Sequence, residues 1–137
     1  MAGRLENKVA IVTGASRGIG EAIARAFVAE GANVVIASRK LEGLTAVATS
    51  IGPAAVAIAA HTGKEDDCRA LVQKTVEQFG KVDILVNNAA ANPYFGPMLN
   101  VEMGAWDKTF EVNVKGYFFI LREVARHAME RSAPASI

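Results

Sequence analysis

The sequence has little cysteine, no block of like charge and no long apolar run. A single cysteine, Cys68, excludes an internal disulfide and fits a reducing compartment. Fifteen basic and 14 acidic residues give a net charge of +1 without clustering, which argues against a nucleic-acid-binding surface. The apolar stretches are too short to cross a bilayer, and residues 1–6 contain no apolar leader core. We therefore expect a cytoplasmic protein that binds neither nucleic acid nor membrane.

Length and composition predict one folded domain over residues 1–137. The chain is 51% hydrophobic and 21% charged, which is typical of a globular protein. His61 and His127 have no cluster of further ligands around them, so no metal site is expected. Cys68 lies on the apolar side of a helical pattern and is interpreted as a core residue.

Strand and helix patterns alternate along the chain. Apolar runs at 8–12, 33–37, 54–60 and 82–86 predict strands, and helical spacing is found between them. Thr62 and Glu65 have the spacing of a capping box before the third helix. This alternation predicts an α/β fold with a doubly wound parallel sheet of the Rossmann type, in the strand order 3-2-1-4. A fifth strand would only just begin at the end of the chain.

The segment between the first strand and the first helix is rich in glycine. It reads Thr-Gly-Ala-Ser-Arg-Gly-Ile-Gly over residues 13–20. Such a turn directs the free N–H groups of a helix N-terminus at a ligand phosphate, and glycine allows the ligand to approach closely. A tight turn that binds nothing is the plainer interpretation. The candidate cofactor-binding residues here are Gly14, Ser16, Arg17, Gly18, Ile19 and Gly20.

The pattern T-G-x-x-x-G-x-G resembles the short-chain dehydrogenase/reductase family. Asn87-Asn88-Ala89-Ala90 is similar to the family motif Asn-Asn-Ala-Gly that follows the fourth strand, with alanine in place of glycine. The resemblance implies that the chain is part of an oxidoreductase and that Asn87 and Ala89 lie beside a dinucleotide. It also implies that Asn113 is the member of the catalytic tetrad that orders a proton-relay water. Within the family, the motifs look nearest to NADPH-dependent carbonyl and retinal reductases.

The end of the second strand indicates which dinucleotide is bound. An acidic residue there accepts hydrogen bonds from the ribose and selects NAD. This chain has Ser38, Arg39 and Lys40 instead, with Arg17 in the glycine-rich turn. Without that turn, Ser38, Arg39 and Lys40 would be interpreted as a solvated loop before a helix. With it, they predict NADP(H), held through its 2′-phosphate by Arg39 and Arg17.

The segment 105–131 is unusually apolar for a surface helix pair. Residues 117–121 are apolar all round a helix, so a face must be buried against something other than the sheet. The resemblance implies that these helices form a homodimer or homotetramer interface. A deep monomeric core is the alternative.

The resemblance also concerns the loop after the third strand. Many relatives carry, at the position of His61-Thr62, an aspartate that contacts adenine.

The resemblance also implies a catalytic tyrosine followed by a lysine four residues later, which this chain does not contain. Tyr94 is followed at that spacing by Met98, and Tyr117 by Leu121. We therefore expect a truncated chain, the N-terminal part of a longer single-domain fold, without turnover. Three interpretations remain. They are part of an NADP(H)-dependent oxidoreductase acting on a carbonyl or secondary alcohol, a non-catalytic cofactor-binding or subunit-interaction module, and another nucleotide-binding α/β protein such as a methyltransferase.

Overall fold

The computed structural model describes residues 3–137 and contains four parallel strands that alternate with helices. Met1 and Ala2, the start of the predicted domain, lie outside the described residues. The strands are β1 (Val9–Thr13), β2 (Asn33–Ser38), β3 (Ala55–Ala59) and β4 (Ile84–Val86). The helices are α1 (Gly18–Ala29), α2 (Leu41–Ile51), α3 (Glu65–Phe79), α4 (Met103–Phe110) and α5 (Gly116–Glu130), with a short 3₁₀ turn at Met98–Asn100.

The sheet has the order β3-β2-β1-β4, as the sequence predicts. In the parallel register Val12 of β1 lies between Ile36 of β2 and Val86 of β4. Every residue of β1 is buried and none is charged, which is typical of a central parallel strand that helices cover on both faces. The carboxyl ends of all four strands meet at one edge, and the switch point lies between β1 and β4.

The two faces of the sheet bury separate apolar clusters. Alternate side chains of a strand point to opposite faces, so Val12 and Ile36 pack with Leu44 of α2, whereas Ile11 packs with Leu71 of α3. Helix α5 adds to the second cluster, most deeply at Ile120 and Val124, both fully buried. The apolar spacing that predicts helices therefore corresponds to their sheet-facing sides.

The start of α3 differs from the prediction. The helix begins at Glu65 after Lys64, no side chain caps it, and Thr62 is buried. The Lys64 N–H donates to the His61 carbonyl at 2.9 Å, and this turn places Thr62 under the helix start rather than at its N-cap. The predicted capping box is therefore wrong. Asp67 instead turns back and accepts a hydrogen bond from the His61 N–H at 2.8 Å.

Helices α4 and α5 are joined by a π-helical turn at Glu111–Lys115. The residues flanking it keep right-handed helical dihedral angles, so the path from Met103 to Glu130 is continuous. A π-helical turn accommodates one residue more than a regular α-helical turn and is found most often at functional sites. Asn113 is at the centre of this turn.

The chain returns to the sheet at its end. Ser136 forms an isolated parallel bridge with Ile84. Its N–H donates to the Asp83 carbonyl, and its own carbonyl accepts from the Leu85 N–H, both at 2.9 Å. The fifth strand is thus just begun on the outer side of β4, as the sequence predicts.

Asp83 ties three parts of the fold together. Its buried carboxylate accepts hydrogen bonds from the Val9 N–H of β1 at 2.9 Å and from Arg131 after α5 at 2.8 Å, and it pairs with Lys81 at 3.0 Å. Burial alone would raise the pKa of Asp83, but the Val9 hydrogen bond and the two cations lower it below the usual 3.8. Arg131 also donates to the Val82 carbonyl, and the Val82 N–H donates to His127 Nε2 at 3.1 Å.

We predict that Asp83→Asn lowers the free energy of unfolding at pH 7 by about 2 kcal/mol, because the amide removes the buried negative charge that pairs with Arg131 and Lys81 and replaces one acceptor oxygen by an NH2 donor. The lowered pKa means that the carboxylate stabilises the fold above pH 4 and that this contribution is lost as the pH falls through the folded-state value. Urea unfolding from pH 7 to pH 3 should therefore show a shallower acid dependence in the variant.

The matched control is Asp66→Asn, whose side chain is 94% exposed and pairs only with Arg69. It should change the free energy of unfolding by less than about 0.5 kcal/mol. Equal losses in the two variants would contradict the role assigned to Asp83.

Candidate functional site

The glycine-rich turn joins the carboxyl end of β1 to the N-terminus of α1. Gly14 and Gly18 have φ values of +65° and +61°, in the left-handed region that favours glycine. Arg17 is the N-cap of α1, and no side chain caps the helix. The N–H groups of the first helical turn are therefore available to an anion, and the helix dipole favours one there.

Two glycines are also required by close packing. A Cβ on Gly14 would come within 2.8 Å of the Ala89 Cα. A Cβ on Gly20 would collide with the Gly14 carbonyl oxygen and lie 2.7 Å from Asn88 Nδ2. Gly18 differs, because nothing lies within 4 Å of its Cβ position and only its dihedral angles favour glycine. The turn is thus pressed against the segment that follows β4, with open space at Gly18.

Thr13 and Asn88 hold these two segments together. The Thr13 hydroxyl accepts hydrogen bonds from the N–H groups of Asn88 and Ala89, both at 3.0 Å, and donates to the Val86 carbonyl. Asn88 Nδ2 donates to the carbonyls of Thr13 and Gly14 at 3.2 and 3.1 Å. Sequence reasoning singled out Asn87 and missed Thr13. The available signal for Thr13 was a hydroxyl-bearing residue at the last position of a buried strand.

Asn113 connects the π-helical turn to the same loop. Its Oδ1 accepts from the Ala91 N–H and its Nδ2 donates to the Ala91 carbonyl, each at 2.8 Å. A two-bond contact of this kind uses both ends of the amide and fixes its orientation. The side chain that sequence reasoning assigned to an active site thus positions the backbone after β4.

The second strand ends beside the glycine-rich turn. The Ala15 N–H donates to the Ala37 carbonyl at 3.3 Å, which brings the turn against the end of β2. Ser38 donates to the Lys40 carbonyl at 3.2 Å, and Arg39 and Lys40 are exposed. Within residues 3–137, Arg17, Arg39 and Lys40 make no salt bridge. The carboxyl edge of the sheet therefore carries unpaired positive charge at the end of β2.

The other predicted site residues line the same edge. Ile19 is 73% exposed at the start of α1, and Ser16, Asn87 and Ala89 are half-buried. The structure therefore brings the glycine-rich turn, the end of β2 and the segment after β4 together at one edge of the sheet. Asn113 contacts this edge through the Ala91 backbone.

A further group at this edge was not predicted as part of the site. His61 follows β3, and its Nε2 lies 3.0 Å from Lys108 Nζ of α4. Its Nδ1 accepts a hydrogen bond from the Gly63 N–H at 3.0 Å. Burial, and then the charge of Lys108, lower the pKa of His61 below 6.5, which favours the neutral imidazole. A lone histidine after a strand gives no sequence signal for such a contact.

Other chemistry is less well supported. Burial raises the pKa of the Cys68 thiol to about 11, which makes it a poor nucleophile. Among residues 3–137, no three side chains of the types that ligate metals come together as a metal site. In the same part of the chain, no helix has the length and apolar character needed to cross a membrane.

Comparisons with known proteins agree with this arrangement. Residues 8–137 match the family described as short chain dehydrogenase. The chain is 44% identical to Dehydrogenase/reductase SDR family member 4 of Caenorhabditis elegans and 42% identical to the Homo sapiens protein of that name. These matches cover 98% and 97% of this chain but 53% and 49% of the relatives. The chain thus spans about half the length of the curated relatives it matches.

Solved structures give the same result. One is a 3-ketoacyl-(acyl-carrier-protein) reductase from Brucella melitensis complexed with NADH, at 43% identity and a TM-score of 0.89. Another is a putative short-chain alcohol dehydrogenase from Sinorhizobium meliloti 1021, at 35% identity and the same TM-score. The superpositions cover 93% and 96% of this chain and 52% and 53% of the other two chains.

We predict that Thr13→Val lowers the free energy of unfolding by about 2–3 kcal/mol, because two backbone N–H groups lose their acceptor. Thr13→Ser keeps the hydroxyl and should cost about 1 kcal/mol for the lost methyl group. Urea unfolding of the two variants measures the difference. Equal costs would show that the hydroxyl does not hold the two segments together.

Proposed function

The chain belongs to the short-chain dehydrogenase family, and from this premise we propose that it binds NADP(H) and serves hydride transfer between that cofactor and a carbonyl or secondary alcohol. The observation that carries the proposal is the uncapped N-terminus of α1 beside Gly14 and Gly18, with unpaired cations at the end of β2. The match over residues 8–137 disfavours the methyltransferase interpretation.

The carboxyl edge of the sheet offers a dinucleotide both hydrogen-bond donors and positive charge. Its pyrophosphate would accept hydrogen bonds from the first turn of α1, where Gly18 leaves room for close approach. The similar reductase from Brucella melitensis was solved with NADH. In this chain we assign the pyrophosphate to the turn at 14–20, and the segment containing Asn87 and Ala89 to the path towards the nicotinamide.

The choice of NADP(H) over NAD(H) rests on charge. Ser38 occupies the position where a carboxylate would accept hydrogen bonds from the ribose and repel a 2′-phosphate. Arg39 and Arg17 instead offer guanidinium groups, which bind phosphate oxygens in a bidentate manner. We therefore assign the 2′-phosphate to Arg39 and Arg17, with Lys40 adding to the positive potential.

Held in this way, NADP(H) would supply the hydride chemistry through its nicotinamide ring. The chain's own residues bind and orient: Thr13 and Asn88 fix the loop after β4, and Asn113 fixes Ala91 within it. We assign to Asn113 the tetrad position that orders a relay water. Neither Tyr94 nor Tyr117 is followed by lysine four residues later, so we assign no proton-donating residue within this sequence.

A second candidate is a module that binds the cofactor without turnover. The two candidates differ in one measurement, oxidation of NADPH in the presence of a panel of ketones, quinones and retinal. Turnover above the solvent background would establish the enzyme and contradict the inactivity expected from the sequence.

We further propose that the chain forms a homodimer or homotetramer through residues 105–131. An exposed apolar stripe runs along α4, the π-helical turn and α5. Its members are Trp106, Phe110, Val114 and Phe118, which are 49%, 45%, 54% and 53% exposed. An isolated apolar residue is common at a surface, but a contiguous stripe indicates an interaction site.

We also propose a cytoplasmic location. Cys68 is buried and has no disulfide partner, which is typical of proteins in a reducing compartment.

We predict that Arg39→Glu raises the Kd for NADPH about tenfold to a hundredfold, since it replaces a phosphate ligand by a charge that repels phosphate. The Kd for NADH should stay within about threefold of the wild-type value. Titration of the reduced nicotinamide fluorescence measures both. Lys74→Glu, at an exposed position of α3, is the control for total charge. Equal weakening of NADPH and NADH would contradict the 2′-phosphate assignment.

We predict that Phe118→Glu dissociates the oligomer, because a carboxylate would be buried against the partner's apolar stripe. Sedimentation velocity should then show a monomer. Leu41→Glu changes a side chain of similar exposure, 51%, on the opposite face of the sheet and should leave the oligomer intact. A monomeric wild-type protein would contradict the proposed assembly.

A further inference from the structure

The segment just before β4 is held by a contact that depends on the protonation of His127. This histidine lies in the last turn of α5, and its Nε2 accepts a hydrogen bond from the Val82 N–H at 3.1 Å. A neutral imidazole has one acceptor nitrogen and one N–H, so the ring proton of His127 is on Nδ1. The doubly protonated ring has two donors and no acceptor. The contact with Val82 therefore exists only while His127 is neutral.

Water does not reach the Val82 side of this contact. Val82 is 0% exposed and belongs to the apolar cluster that also contains Ile11 and Val124. A buried backbone N–H without an acceptor is unfavourable, because it has lost its hydrogen bonds to water and gained nothing in return. Protonation of His127 therefore requires Val82 to move away from the imidazole and towards water.

The charged groups nearest this contact oppose a positive imidazole. Before β4, Lys81 and Asp83 form an ion pair at 3.0 Å, and Arg131 pairs with the same carboxylate at 2.8 Å. The carboxylate also accepts a hydrogen bond from the Val9 N–H at 2.9 Å. Two cations thus share one carboxylate, and their net positive charge disfavours the imidazolium.

Helices α5 and α3 contribute the other charges. The C-terminal dipole of α5 favours a positive ring in its last turn. Glu123 faces Arg126 at 3.3 Å and Arg69 at 3.9 Å. Glu130, and Glu77 in the last turn of α3, are exposed, so solvent screens their charge. A neighbouring carboxylate cannot turn an imidazolium N–H into an acceptor, so the conflict between donors persists whatever the balance of charge.

The same residues join the end of α5 to the start of the fifth strand. Arg131 donates to the Val82 carbonyl at 3.1 Å, so the end of α5 holds both the N–H and the carbonyl of Val82. The Asp83 carbonyl accepts from the Ser136 N–H at 2.9 Å. Movement of Val82 would therefore disturb both the docking of α5 and the bridge that Ser136 forms with Ile84.

We propose that His127 and Val82 form a pH-sensitive latch: a second proton on the imidazole releases the Val82 N–H and loosens the end of α5 and residues 131–137 from the start of β4. The closed arrangement requires the neutral ring, so the latch is closed at high pH and loosens as the pH falls through the range in which histidines gain charge, about pH 8 to 5. It lies at the opposite edge of the sheet from the glycine-rich turn, so it does not depend on the proposed cofactor.

The test measures hydrogen exchange of the Val82 amide at pH 7.5 and pH 5.5, each corrected for the exchange rate of an unstructured chain. We expect the protection factor to fall about tenfold at the lower pH, the scale of one net hydrogen bond. Asp83 stays ionised over this range, because its pKa is lowered below 3.8. A protection factor that does not change with pH would overturn the proposal.

Two variants assign the effect to one histidine. His127→Gln keeps a neutral side-chain oxygen that can accept from the Val82 N–H but does not titrate, so its protection factor should change by less than about twofold. His61→Gln removes the other histidine of the sequence and is the matched control, which should show the same fall as the wild type. A tenfold fall in His127→Gln, or its loss in His61→Gln, would overturn the assignment.

The wild-type protein also provides a test that needs no variant. The ¹⁵N chemical shifts of the two imidazoles at pH 8 report which ring nitrogen carries the proton. We expect Nδ1–H for His127, and the opposite tautomer for His61, whose Nδ1 accepts from the Gly63 N–H. Protonation of both His127 nitrogens should coincide with the loss of the hydrogen-bonded chemical shift of the Val82 amide. The Nε2–H tautomer of His127 at pH 8 would overturn the latch.

Discussion

The structure depends on the close contact between the turn after β1 and the loop after β4. Gly14 lies so near Ala89 that only glycine fits. The Thr13 hydroxyl accepts hydrogen bonds from the backbone N–H groups of Asn88 and Ala89 in the loop. Backbone groups at the end of a buried strand need partners, because water does not reach them. The contact provides these partners and leaves the first turn of α1 unoccupied. Stability and ligand access thus follow from one packing arrangement.

Most of the fold could be predicted from the sequence, because its signals are local and strong. The β-branched segment 9–13 and the helical spacing in α3 allow few alternatives, and the glycine that follows Phe79 adopts the left-handed conformation of a helix stop. The start of α3 was predicted wrongly because the capping-box spacing ignores tertiary packing. Thr62 is taken into the core beside Gly116, where a Cβ on that glycine would lie 2.7 Å from the Thr62 carbonyl oxygen.

Part of the candidate site could likewise be predicted from the sequence, and part could not. The glycine-rich turn carries its chemistry in its backbone, so a sequence pattern is sufficient to find it. Thr13 and Lys108 act through partners 75 and 47 residues away, and no spacing rule connects such positions. The role of Asn113 was inferred from resemblance. Its contact with Ala91 depends on a π-helical turn that local propensity does not encode.

The π-helical turn separates the packing of α5 from the contact of Asn113. It holds one residue more than an α-helical turn, so loss of one residue between 111 and 115 would restore a regular helix and leave Ile120 and Val124 on the core side. The same loss would displace Asn113 from Ala91, whose N–H and carbonyl it binds. The extra residue therefore serves the loop after β4 and not the packing of the helix.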